Sequence, residues 1–257
     1  MVDPLVLDSA LHLASYNLAV NQSGYADNFL HLYLYLKYNR APKVLLLYVS
    51  PEAMEEANDI FAAYRFIPFI GDSVVDGVIK ERDPGYARWI EIPFMRYSYY
   101  NTFVTFNAVQ GARYFIQARK YPFHLNGYEP NNAPWDSTLE YFASKHPEGK
   151  EILWSSGAEK YLIKIIMLAQ QKNISVMLYN SPVLNEYKLY RLKREDIAAK
   201  INSLSVEYHA EYLNFDTMKI ADNRRYFSSP LLTNTEGARI FSNVLAAVLR
   251  DKINNQR

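Results

Sequence analysis

The sequence predicts an α/β fold: a doubly wound, mostly parallel sheet with helices on both faces. Two observations carry that prediction. Residues 44–49 form a continuous apolar run of strand length, the mark of a strand buried on both faces of a parallel sheet. Beyond residue 150, strand-like and helix-like segments alternate, and repeating strand–helix units build such sheets.

Residues 15–20 (Ser-Tyr-Asn-Leu-Ala-Val) read as a short strand. Gly24 follows, then an amphipathic helix over about 27–38, with Phe29, Leu30, Tyr33, Leu34 and Leu36 as its apolar faces. Residues 39–42 break it. The run 44–49 ends at Ser50-Pro51, which also opens a helix, because proline is tolerated in a first turn. Residues 66–150 lose the alternation; they are rich in proline and carry aromatic clusters at 97–100 and 121–123. They read as an aromatic-rich insertion or lid, partly helical around 101–119. Alternation returns with a helix over about 157–172, a strand at 174–179 and the stop Asn180-Ser181-Pro182. A helix near 186–202, a strand around 211–215 and a final helix over about 235–253 complete the chain. In that last helix Phe241, Val244, Leu245, Val248 and Leu249 form one stripe at helical spacing.

The 257 residues suffice for one large α/β domain with a full core. A formal net charge of +1 gives no global field to recruit nucleic acid or an anionic membrane. Cysteine is absent, which excludes thiolate catalysis, Cys-ligated zinc and disulfides. No run approaches the roughly 18 apolar residues of a membrane span, so a soluble chain without a span is expected. The 22 tyrosines outnumber the 13 phenylalanines, and a ring with a polar tip suits half-exposed grooves, sugar sites among them, as well as ordinary packing.

Few residues point to other chemistry. No glycine-rich phosphate loop follows a strand, so no nucleotide cofactor is expected. No histidines and carboxylates stand at metal-ligand spacing, so no metal is expected either. In residues 188–200 Glu195 and Asp196 interleave with the basic residues, and Glu55-Glu56 form an acidic pair; both read as solvated helix faces, with no nucleic-acid patch. Of the five histidines, His12 and His31 read as packing or surface residues, His146 as a loop residue, and His209 as the lead-in to strand 211–215. His124 lies in the aromatic insertion, where it could face a cleft as an acid–base group. Gly71-Asp72-Ser73 makes Ser73 a candidate nucleophile, although Gly-Asp-Ser is also common turn chemistry.

Residues 226–242 (Tyr-Phe-Ser-Ser-Pro-Leu-Leu-Thr-Asn-Thr-Glu-Gly-Ala-Arg-Ile-Phe-Ser) resemble the closing block of the SGNH (GDSL-type) hydrolases. Asn234, Gly237 and Ala238 keep that block's frame, while Ser229 stands where the family has its catalytic Asp and Leu232 where it has its His. Asp3-Pro4, Leu7-Asp8-Ser9 and Tyr16-Asn17-Leu18-Ala19 resemble the second block and its approach; Pro42-Lys43, the run 44–49 and Ser50-Pro51 look like the third strand and its exit. Asn126-Gly127-Tyr128-Glu129-Pro130 is similar to a turn of envelope-associated SGNH-like proteins, some tied to surface-polysaccharide modification.

The resemblance implies a three-layer α/β/α domain of flavodoxin-like order and acyl-transfer chemistry by Ser, His and Asp with an oxyanion hole. It also implies what is missing. Gln22 occupies the expected Gly position with Gly24 displaced by two, and Ser50-Pro51 replaces the expected Asn. No residues match the first block, so upstream residues are expected to carry the first strand and an anchor or signal. Without that strand, residues 15–20 and 44–49 pair directly or another segment fills the gap. Gln22, Gly24, Ser50 and Tyr128 are then expected to line the remnant cleft. The implied function is that of an esterase or O-acetyltransferase lineage acting on acylated carbohydrate in a cell envelope or periplasm, without triad activity. One alternative is a non-catalytic carbohydrate-binding or polysaccharide-assembly protein. The other is an ester hydrolase using Ser73 with His124.

Overall fold

The computed structural model describes residues 2–20, 22–55, 60–61, 63–85, 92, 101–116 and 126–255. Among the described residues, the helices of eight residues or more are, in chain order, α1 (Pro4–Leu11), α2 (Tyr25–Tyr38), α3 (Ser73–Arg82), α4 (Asn101–Ile116), α5 (Thr138–Lys145), α6 (Ser156–Gln171), α7 (Arg194–Glu207) and α8 (Thr235–Asn255). The main sheet has three parallel strands, β1 (Val44–Tyr48), β2 (Ser175–Asn180) and β3 (Glu211–Asn214), in that spatial order.

Alternation along β2 separates two cores. Val176 and Leu178 join the larger cluster beneath α2, α3 and α6, whereas Met177 joins a second cluster with Leu7 of α1 and with Phe241, Leu245 and Leu249 of α8. Successive strand side chains point to opposite faces, so helices cover both sides of the sheet. The register Leu46↔Met177 and Leu178↔Tyr212 is pinned by this two-sided burial, because a one-residue slip would exchange the two faces.

The stripe expected in the last helix is mostly right: Phe241, Leu245 and Leu249 are buried, Val248 is packed against them, but Val244 is exposed and Ala246 is buried in its stead. Helix α4 lies within the helix expected at 101–119, and 117–119 fall outside the described residues, as do the aromatic clusters 97–100 and 121–123. Phe66, Ile67, Val75, Val78 and Ile79 all belong to the larger core, so a boundary at residue 66 falls inside the packed body.

Residues 15–20 form no strand, contrary to expectation. Local bonds hold this stretch instead: the Ser15 N–H and hydroxyl donate to Asp8 Oδ1, Ala19 N–H donates to Asn17 Oδ1 at 2.9 Å, and Asn17 N–H donates to Asn126 O at 2.8 Å. The outer edge of β1 therefore does not pair with it. Lys43 O accepts from Ser175 N–H and Val49 N–H donates to Tyr179 O, so the intervening Val44, Leu46 and Tyr48 aim their backbone groups away from β2. Among the described residues only Tyr48 O meets a partner there, the Tyr25 hydroxyl at 3.5 Å.

Candidate functional site at the carboxyl end of the sheet

The closing block forms a tight hairpin. Strand Phe227–Ser229 runs antiparallel to Leu232–Thr233, with Ser229 opposite Leu232. Asn234 then caps α8: its Oδ1 accepts from Gly237 N–H at 3.0 Å and its Nδ2 donates to Arg225 O at 2.6 Å. A Cβ on Gly237 would sit 2.2 Å from Tyr226 O, so only glycine fits there. Ala238 is fully buried, which limits that position to a small side chain. The Asn-x-x-Gly-Ala frame is thus explained by capping and close packing.

Neither side chain of the Ser229–Leu232 pair has a catalytic partner among the described residues. Leu232 is 41% exposed and has no atom that can accept a proton. The buried hydroxyl of the hairpin is that of Ser228, which accepts from Asn131 Nδ2 at 2.5 Å and donates to Leu232 O at 3.3 Å. Of the histidines, His12 caps α1 and His146 packs against Phe142 in a tilted contact with ring centroids 4.9 Å apart. His31 packs on Phe66; burial first, and then Arg65, lower its pKa to about 4. His209 takes a left-handed turn before β3, and His124 lies outside the described residues.

The other expected site residues are dispersed. Gly71-Asp72-Ser73 is a helix start: Asp72 is the N-cap of α3, accepting from Val74 and Val75 N–H, and Ser73 is its exposed first residue. Gly24 caps α2, and its N–H is taken by Asp27 Oδ2 at 3.2 Å, so it is not free for an oxyanion. Gln22 is an exposed residue in the left-handed region at φ 64°. Ser50 is fully buried, with its Oγ accepting from Ala53 N–H at 3.1 Å. Tyr128 is likewise buried and so does not line an open cleft, and Gly127 beside it abuts Asn17 O and the Tyr16 ring.

What gathers at the carboxyl ends of the strands is a charged network that the sequence reading did not anticipate. Arg194 bonds Glu52 through Nε at 2.6 Å and Asp216 through Nη1 at 2.5 Å, and Lys188 reaches Asp216 Oδ1 at 2.8 Å. Arg191 pairs with Glu55 and lies over the rings of Phe142 and Tyr187. Arg191 and Arg194 are buried, so part of 188–200 is not the solvated face expected of it; Glu55 is likewise paired, and Glu56 lies outside the described residues. Burial works against the Arg194 charge, yet Glu52 and Asp216 hold its pKa above the ordinary range. Tyr48 sits between the Ser50 and Ser181 hydroxyls, and burial, then Glu52, push its pKa up to about 12. Such a network binds strand ends together but offers no base for a serine.

An open cavity of about 490 Å³ lies beside the hairpin, between Asn131–Asn132–Ala133 and the first turns of α8. Thr235 closes its floor, donating from N–H to Asn131 O at 2.9 Å and from its hydroxyl to Asn132 Oδ1 at 2.7 Å. Glu236, which pairs with Arg225, and the exposed Arg239 complete a lining of amide, hydroxyl and charged groups. Among the described residues no cluster of histidine and carboxylate side chains could hold a metal ion. None of the protein families compared with the chain matches it, and no curated protein does.

Proposed function

We propose that this chain is an SGNH-hydrolase-like domain, of an esterase or O-acyltransferase lineage, that holds acylated carbohydrate of a cell envelope without triad hydrolysis. The observation that carries the reading is the closing block: an Asn234 cap with Gly237 and Ala238 packed behind it, and Leu232 where a general base would stand. In this reading β1, β2 and β3 correspond to the third, fourth and fifth strands of a three-layer, flavodoxin-like sheet. The first strand then belongs on the outer edge of β1, where Val44 and Leu46 direct their backbone groups.

The cavity at the start of α8 favours a carbohydrate-binding or polysaccharide-assembly role over turnover. Its lining can exchange hydrogen bonds with sugar hydroxyls, while Ser50 is buried and Ser73 heads a capped helix. Calorimetric titration with O-acetylated and de-acetylated oligosaccharides tests the reading. We expect binding of the acetylated forms without release of acetate, and a loss of about 10-fold in affinity on Arg239→Ala, equivalent to one charge-assisted hydrogen bond. An absence of binding to every saccharide, or binding indifferent to substitution in the cavity, would contradict it.

A further inference from the structure

We propose, resting on the carbohydrate-binding reading, that the cavity at the start of α8 takes a saccharide bearing a carboxylate and that Arg239 reads that group. Most polar side-chain atoms of the lining are already engaged. Asn131 donates from Nδ2 to Ser228 Oγ at 2.5 Å, and its Oδ1 accepts from Ala133 N–H at 3.1 Å. Asn234 is engaged by Gly237 N–H and Arg225 O, and the Thr235 hydroxyl by Asn132 Oδ1. Asn132 Nδ2 and the Arg239 guanidinium have no protein partner among the described residues. Both can only donate. A sugar hydroxyl offers them an acceptor but brings a proton that needs a further acceptor. A carboxylate brings acceptors alone, and it matches a guanidinium as a parallel pair.

Position supports the pairing. Thr235 and Arg239 stand four residues apart on α8, so they share a side of the helix, and both line the cavity. The facing wall is held before any ligand arrives, because Asn131 O accepts from Thr235 N–H at 2.9 Å. A preformed wall leaves less to be ordered on binding.

Charge and size narrow the class. Glu236 also lines the cavity, but Arg225 pairs with it at 3.0 Å, so Arg239 carries the unbalanced charge of the lining. One cation suits a monoanion; a doubly charged phosphate would also face the Glu236 carboxylate. The volume of about 490 Å³ is that of a small-molecule site and far exceeds a lone carboxylate, so the acid arrives on a larger body.

Calorimetric titration of the full chain with an O-acetylated oligogalacturonide and with its carboxyl-methylated, neutral counterpart is the test. We expect the acid form to bind about 10-fold tighter, a preference that shrinks as salt rises. Arg239→Gln should remove the preference, and Arg239→Lys should keep part of it, since a point charge survives without the planar fork. The thermal midpoint should not move, because Arg239 is exposed. Equal binding of the two forms, or a preference that outlasts Arg239→Gln, would overturn the proposal and leave the carbohydrate reading standing. Free galacturonate binding as tightly as the oligomer would overturn it too, by giving the site to a small acid. Failure of both oligosaccharides to bind would sink the carbohydrate reading and the proposal with it.

Discussion

At the scale of single residues, chemistry is withheld by burial and by pairing. Ser50 is enclosed, and the Gly24 N–H is consumed by Asp27. His31 shows the same effect in a form that can be measured. Its folded pKa of about 4 lies below the ordinary 6.5, so between those values the unfolded chain binds a proton that the native one refuses. Stability therefore falls as pH drops from 6.5 toward 4. We expect chemical denaturation to show this loss in the native chain and less of it in His31→Leu; an identical pH profile for the two would refute the assignment. Asn234, Gly237 and Ala238 were legible in the sequence because a helix cap is local, with the cap's bonds and close contacts inside the one block from Arg225 to Ala238. Arg194 was not legible. Its partner Glu52 is 142 positions away, and neighbouring Glu195 and Asp196 make the stretch look like an ordinary solvated face.

At the scale of elements, strands and helices were legible wherever burial is two-sided or periodic. The apolar run at β1 announced itself because it packs toward both cores, although within the strand only Leu47 is buried, and α8 announced itself by its spacing. Residues 15–20 misled because alternation alone does not supply a pairing partner, and bonds to Asp8, Asn17 and Asn126 use the backbone groups a strand would offer. Gly71-Asp72-Ser73 could be read two ways from sequence, since a nucleophile signature and a turn or helix cap use the same residue types, and the structure shows the cap. Asp72 is held at about 2, chiefly by the Lys37 ammonium 2.6 Å away, with the α3 N–H groups and the Tyr33 hydroxyl adding to it. Because its folded pKa is depressed, its contribution is present above 3.8 and is lost as pH falls toward 2. We expect Asp72→Ala to lower stability by about 1–2 kcal/mol at neutral pH and by little near pH 2. A fluorescence-monitored urea titration at both pH values measures the difference, and an equal loss at both would contradict the cap assignment.

At the scale of the whole molecule, three parallel strands divide two helix-backed cores and bring three loops to one end. That is where an open α/β sheet places a ligand. Here the strand ends are tied by Arg194 to Glu52 and Asp216, while the accessible space lies beside them, against the start of α8. The sequence could reveal the class of fold, because strand and helix periods differ. It could not reveal the cavity, because Asn131 and Asn132 approach Asn234 and Thr235 only through tertiary packing. The central claim is that a hydrolase-like frame persists here without triad chemistry. Ester turnover tests it most directly: acetate release from an aryl acetate and from acetylated oligosaccharide, across pH 5 to 9, by the native chain and by Ser50→Ala, Ser73→Ala and Ser229→Ala. We expect all four to match the uncatalysed background; saturable turnover in the native chain, abolished by any one of those substitutions, would contradict the claim.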